Sequence, residues 1–83
     1  MPVEFDDSQF RFAHGKNPKG RGGWAFEFVK GGIALINPDE NPDLGELAFV
    51  WWVPGGSCLF SEAKKWAHQM ADELGADRIL VCS

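Results

Sequence analysis

The stretch SEAKKWAHQMADELGADRILVCS, residues 61–83, decides the class of the fold. Its first part predicts an amphipathic helix with Ser61 as the N-cap and Gly75 as the left-handed C-cap. Residues 79–82 alternate in pattern and predict a short final strand. The apolar side chains that recur at helical spacing and form one stripe are Ala63, Trp66, Ala67, Met70 and Leu74.

Upstream of this helix, alternating patterns predict four strands. Phe10–His14 and Trp24–Val29 flank a glycine-rich loop, and Gly31-Gly32 has the spacing of a two-residue hairpin turn before Ile33–Ile36. Residues 37–45 are rich in Pro, Asn and Asp and predict a loop. With Glu46–Val53, the order is β-β-β-β-α-β. We therefore expect an α+β fold, with a four- to five-stranded, mainly antiparallel sheet and one helix on one face.

The run ELAFVWWV, residues 46–53, is the strongest strand pattern, and it is apolar on both faces. A helix of about 13 residues spans about 20 Å and covers one face of such a sheet. The second face then needs the chain's own N-terminal segment and loops, a second copy of the chain, or a foreign partner. The side chains expected in the core between sheet and helix are Trp66, Met70, Leu74, Phe49, Trp51 and Ile79.

Length and composition exclude several classes of protein. The chain has 83 residues, which predicts a single domain over residues 1–83. Its longest apolar run, Leu47–Val53, is too short to span a bilayer, and MPVEFDD has no apolar core of a secretory signal. Two Cys residues supply neither a disulfide framework nor a four-ligand zinc site. We expect a cytoplasmic protein that contacts no membrane.

Charge is distributed unevenly along the chain. The formal net charge is -4, yet residues 8–26 contain four basic residues and no acid. Residues 39–46 contain four acids and no base. Such a separation predicts local fields of both signs, although each run also fits an ordinary solvated loop.

The loop HGKNPKGRGGW, residues 14–24, is the most unusual segment. Gly15 and Gly20 have the spacing of a phosphate-binding loop, but Arg21-Gly22 replaces the Lys-Ser/Thr pair, and the segment leads into a strand instead of a helix. The open interpretations are a plain hairpin loop, a surface for single-stranded nucleic acid, a site for an acidic protein surface, and a small-anion site. The candidate contact residues are His14, Lys16, Lys19, Arg21, Trp24 and Trp52.

No catalytic constellation is evident in the sequence. His68 lies four residues before Asp72, which predicts a solvent-exposed pair on the helix. If the final strand runs parallel to residues 46–53, Cys58 and Cys82 lie at the same end of the sheet, and we expect two buried, reduced thiols. No base is positioned to activate either thiol. We therefore expect a protein that is not an enzyme and that uses no cofactor and no metal.

The segment HGKNPKGRGGWAFEF, with the helix SEAKKWAHQMADELGAD, resembles small uncharacterised proteins of bacteriophages, prophages and their hosts, which carry an HGKxPxGxGxWxF segment. The resemblance omits the middle of the chain and transfers no site. It implies an accessory protein that acts by protein–protein interaction, such as an inhibitor of host machinery.

A small non-enzymatic binding module is therefore the first functional expectation, with homodimerisation left open. The first alternative is binding of single-stranded nucleic acid through loop 14–24. The second alternative is an enzyme that acts on a small anion.

Overall fold

The computed structural model describes residues 3–39 and 42–82 and has an α+β fold. One main helix packs on a mixed, mainly antiparallel five-stranded sheet, and a two-stranded sheet lies beside it, so the predicted fold class is confirmed. In chain order the elements are β1 (Glu4–Asp6), α1 (Ser8–His14), β2 (Arg21–Gly22), β3 (Ala25–Lys30), β4 (Ile33–Ala34), a 3₁₀ segment (Pro42–Phe49), β5 (Trp51–Trp52), β6 (Cys58–Leu59), α2 (Phe60–Leu74) and β7 (Arg78–Val81).

The central strand of the larger sheet is β3. On one side β3 pairs antiparallel with β7, which in turn pairs parallel with β1. On its other side β3 pairs with β4 at one end and with β5 at the other. The β3–β4 connection is the predicted two-residue turn, and Gly31 and Gly32 both have the positive φ that such a turn requires. β2 pairs with β6 in the separate two-stranded sheet.

The prediction of a long central strand over residues 46–53 is wrong. The 3₁₀ segment occupies the first half of that run, residues 46–49, and is interrupted at Gly45, whose φ is 63° and ψ is -122°. The buried Asn37 binds the backbone of this run through two hydrogen bonds. Its N–H donates to the Ala48 carbonyl at 2.8 Å, and its side-chain amide donates to the Val50 carbonyl at 3.1 Å. These carbonyls therefore bond to a loop residue instead of a neighbouring strand. The predicted loop over residues 37–45 lies partly outside the described residues, at positions 40 and 41.

The prediction of a strand over Phe10–His14 is also wrong, because these residues belong to α1. Asp7 and Arg11 are one helical turn apart and form an ion pair at 2.9 Å. Gly15 ends the helix in the left-handed conformation, with its N–H donating to the Arg11 carbonyl. Phe10 and His14 share one helix face, with ring centroids 4.3 Å apart.

α2 covers one face of the sheet, where Phe26 and Phe28 of β3 are fully buried. The Trp66 ring lies 6.3 Å from each of these two rings. Three alanines at four-residue spacing, 63, 67 and 71, are fully buried and allow α2 to approach the sheet closely. Among the expected core residues, Trp51 and Ile79 are buried, Trp66, Met70 and Leu74 pack partly buried against the core, and Phe49 is half-buried.

The helix starts differently from the prediction. α2 begins at Phe60 with Leu59 as its N-cap, so Ser61 does not cap it. The Phe60 N–H donates to the Gly20 carbonyl at 2.8 Å, which means that a neighbouring loop satisfies the first amide of the helix. Gly75 is the left-handed C-cap that the sequence predicts.

The second face of the sheet is mixed in character, and it is not the apolar surface expected from residues 46–53. Because side chains alternate along β3, Ala25, Glu27 and Val29 face away from α2. Glu4 and Arg78 lie opposite each other in the strand register and on this same face, where they form an ion pair at 3.1 Å. Trp52 lies on this same face and is 51% exposed, and the expectation that loops, a second copy or a partner cover the face stays a prediction. In the described part of the chain, neither helix has the length and apolar character needed to cross a membrane.

Candidate functional site: a basic cleft between α1 and β2

A cleft of about 300 Å³ opens between the end of α1 and β2. We call it the basic cleft. Five of the six candidate residues selected from the sequence line it, because the segments that carry them border the cleft. His14 lies at the end of α1, directly before the Gly15 cap. The loop that follows carries Lys16 and Lys19, and β2 carries Arg21. The complete lining is Phe10, His14, Lys16, Lys19, Arg21, Gly22, Gly23 and Trp24.

The floor of the basic cleft is a fixed aromatic stack. Trp24 is buried, and its indole N–H donates to the Gly20 carbonyl at 3.2 Å and to the Cys58 carbonyl at 3.1 Å. The Phe10 ring centroid lies 5.6 Å from that of Trp24, and the Phe60 ring packs edge-on at 4.7 Å. These contacts link α1, β2, β6 and α2, so the walls of the cleft are held by the hydrophobic core.

The rim of the basic cleft is positively charged. Lys16, Lys19 and Arg21 are exposed, and no carboxylate from residues 3–39 or 42–82 lines the cleft. Among the described residues, these three side chains form no ion pair, whereas Arg11 and Arg78 each bind an acid. Uncompensated cations around a concave surface attract an anionic ligand and give its oxygens donors to bind.

A second groove of about 370 Å³ lies next to the basic cleft, and Lys19 lines both cavities. Its walls include the apolar side chains of Leu59 and Phe60, and Lys64 of α2 lies at its rim. The Lys64 Nζ is 4.7 Å from the centroid of the Phe5 ring, a cation–π geometry. Sequence reasoning missed this groove, because it is created by the packing of α2 against the loop.

Trp52, the sixth candidate residue, lies away from the basic cleft. It pairs with Ala25 at the edge of the larger sheet, on the face opposite α2, and is 51% exposed. Sequence reasoning also missed Phe10 as part of the cleft, although the i,i+4 spacings of Asp7 with Arg11 and of Phe10 with His14 are signals of a helix.

The two cysteines lie near the start of β3, at one end of the sheet as expected. The Cys58 carbonyl accepts from the Trp24 indole, and the Cys82 N–H donates to the Ala25 carbonyl at 3.0 Å. Both thiols are free, but neither is buried as predicted, since Cys58 is half-buried and Cys82 is exposed. Partial desolvation, with a smaller contribution from the Glu27 carboxylate, raises the pKa of the Cys82 thiol to about 11. A thiol of this kind is a poor nucleophile near neutral pH.

The histidines differ in their surroundings. The His14 ring packs against the Phe10 ring at a tilted angle and lines the basic cleft. His68 is half-buried and stacks on the Phe5 ring at 5.7 Å, which corrects the prediction of a solvent-exposed residue on α2. Within residues 3–39 and 42–82, no group of three or more His, Cys, Asp or Glu side chains is arranged to hold a metal ion.

Comparison of this chain with models of known protein families, with curated proteins and with solved structures finds no match.

Proposed function

We propose that this protein is a non-enzymatic binding module that holds an acidic segment of a partner protein in the basic cleft. One observation carries the proposal: the cleft brings His14, Lys16, Lys19 and Arg21 together, and its described lining contains no carboxylate. In a chain with a net charge of -4, this concentration of positive charge is local to one concave surface. Such a surface favours an anionic ligand and gives it a defined place to bind.

An acidic protein segment fits the basic cleft better than single-stranded nucleic acid does. Single-stranded nucleic acid binds through exposed aromatic faces on which bases stack. Here Phe10 and Trp24 are 7% and 6% exposed, and their faces are occupied by each other and by neighbouring rings.

The resemblance to phage and prophage proteins supports an accessory role in the cytoplasm. A small module of this kind, carrying one charged docking cleft, could act as an inhibitor by occupying an acidic surface of the host machinery. In that case binding requires no catalytic group.

The test compares two double variants that change the net charge equally. Lys16→Glu/Lys19→Glu reverses charge in the basic cleft, and Lys30→Glu/Lys65→Glu reverses it at exposed positions elsewhere. The probe is a short glutamate-rich peptide, and its affinity is measured by calorimetry. We expect the cleft variant to lose about tenfold or more in affinity, which corresponds to about 1.4 kcal/mol, and the control to lose much less.

Equal losses in the two variants would contradict the proposal, because they would indicate attraction to overall charge. Tighter binding of a single-stranded oligonucleotide than of the peptide would favour the nucleic-acid alternative instead. Amide chemical shifts of Gly22 and Gly23, which line the cleft, report whether either probe binds there.

A further inference from the structure

The outer edge of β2 carries unpaired backbone groups. In the β2–β6 ladder, Arg21 lies opposite Leu59 and Gly22 opposite Cys58. The Phe60 N–H donates to the Gly20 carbonyl at 2.8 Å, directly beside the Arg21–Leu59 pair. In an antiparallel ladder this bond flanks a non-hydrogen-bonded pair. The N–H and C=O of Arg21 therefore point away from β6.

The basic cleft borders β2 and not β6. Residues 21–23 line that cleft, whereas neither residue of β6 does, so the cleft lies on the side of β2 away from β6. Among the described residues, no hydrogen bond involves the backbone of Arg21. A row of open donors and acceptors on a strand edge is a template for another strand.

The side chains along this edge leave room for an added backbone. Gly22 and Gly23 follow Arg21 and project no side chain into the cleft. Lys16 and Lys19 line the same cleft and are within it to meet the side chains of a bound segment. Alternate residues of an extended segment point to the same side, so an acid at every second position would meet these cations.

We infer that the acidic partner segment binds as an added β-strand on the outer edge of β2. This inference rests on the proposed function and specifies the shape of the ligand: an extended peptide with acids at alternate positions. Its backbone pairs with the N–H and C=O of Arg21, and its carboxylates contact the lysines. Main-chain bonds supply affinity and the alternating charges supply specificity.

The first experiment uses a short peptide that alternates Glu and Thr, together with the same peptide N-methylated along its central residues. N-methylation removes the backbone donors and leaves the charges in place. We expect the methylated peptide to bind at least about tenfold more weakly. We also expect hydrogen exchange at the Arg21 amide to slow by about tenfold at saturating peptide, with no change at Glu27, whose strand is already paired on both sides.

A matched pair of variants tests the same edge from the protein side. Arg21→Ala removes the charge and keeps the N–H, whereas Arg21→Pro removes both at a position where the N–H is not part of the β2–β6 ladder. We expect the proline variant to bind the peptide about three- to tenfold more weakly than the alanine variant. If the proline variant fails to fold, the exchange measurement at Arg21 still decides the matter.

Equal binding of both peptides, with unchanged exchange at Arg21, would overturn strand addition. The proposed function would stand in that case if the Lys16→Glu/Lys19→Glu variant still bound more weakly than its control. If neither peptide binds the unaltered protein, both the inference and the proposed function fail.

Discussion

At the scale of single residues, Trp24 joins the basic cleft to the rest of the molecule. Its ring packs between Phe10 of α1 and Phe60 of α2. Its N–H donates to carbonyls of Gly20 and Cys58, which belong to segments that pair with each other. The side chain therefore shapes the floor of the cleft.

Replacing Trp24 with Phe tests this structural role. The substitution keeps an aromatic ring but removes the indole N–H, so the partly buried carbonyls of Gly20 and Cys58 each lose one hydrogen-bond donor. We expect a loss of about 1–3 kcal/mol in the free energy of unfolding, measured by urea denaturation. Trp52→Phe is the control, because Trp52 makes no side-chain hydrogen bond among the described residues, and it should change stability by less than about 0.5 kcal/mol. Similar effects of the two substitutions would contradict the assigned role.

The Cys82 thiol should react slowly despite its exposed position. Its pKa is raised to about 11 by partial desolvation and, to a smaller extent, by Glu27. In a Cys58→Ser background, we expect alkylation by iodoacetamide to stay slow at pH 9 and to accelerate only as the pH approaches 11. Glu27→Gln should increase the rate by removing the nearby negative charge. Mass spectrometry measures the extent of reaction, and a rate at pH 9 equal to that of the urea-denatured chain would refute the assignment.

The raised pKa of the Cys82 thiol also makes the stability of the fold depend on pH. The folded thiol holds its proton more tightly than the unfolded thiol, whose ordinary pKa is 9.0. This contribution to stability is therefore fully present below about pH 9 and is lost as the pH rises through about 11.

At the scale of elements, α1 shows why alternation in a short segment is ambiguous. Phe10, Phe12 and His14 fit a strand of period two, yet Phe10 and His14 also share one helical face. Phe12 points away from that face and is 95% exposed. The surrounding signals, an Asp7–Arg11 pair and a glycine at position 15, agree with the helix. In a helix of only seven residues, these signals at its two ends predict the structure better than the alternation of apolar residues does.

The C-terminus of α2 depends on a conformation that suits glycine. Gly75 has φ of 71°, and a Cβ there would lie 3.4 Å from the Lys30 Nζ. We expect Gly75→Ala to lower the free energy of unfolding by about 1 kcal/mol, because the left-handed conformation is strained for alanine. Gly22→Ala is a suitable control, since its φ lies outside the left-handed region and its Cβ would make an ordinary contact with Trp24 at 3.9 Å. Thermal unfolding of both variants measures the difference, and equal midpoints would contradict the expectation.

At the scale of the whole molecule, the two ends of the chain pair as neighbouring strands. β1 lies beside β7, and its Phe5 ring contacts Phe26, Phe60 and His68. The N-terminal strand thus closes the sheet on one side and completes the apolar layer under α2.

Truncating Phe5 should weaken the whole fold. We expect Phe5→Ala to cost about 2–4 kcal/mol in the free energy of unfolding, because a half-buried ring is removed from contact with the sheet and α2. Phe12→Ala removes the same side chain from a site that is 95% exposed, and should change stability by less than about 0.5 kcal/mol. Urea denaturation compares them, and equal losses would mean that β1 does not contribute to the core.

Separation of charge across the molecule leads to one more expectation. If the basic cleft binds an acidic peptide, affinity should fall as NaCl rises from about 50 to about 300 mM, because the Debye length shortens below about 10 Å. In Lys16→Glu/Lys19→Glu this dependence should be much flatter. An affinity independent of salt would show that apolar contacts dominate binding.

The amino-acid pattern alone specifies the α+β class, α2 with its glycine cap, the Gly31-Gly32 turn and five of the six candidate site residues. These features depend on local signals such as periodicity, caps and turn chemistry. Tertiary packing decides the central strand. Asn37 and Gly45 hold residues 46–49 in the 3₁₀ segment, outside the ladder in which the apolar alternation of residues 46–53 would place them. Packing also creates the basic cleft and the free edge of β2. Both depend on α1 and α2 meeting at Trp24, through contacts between residues distant in the chain that no local pattern encodes.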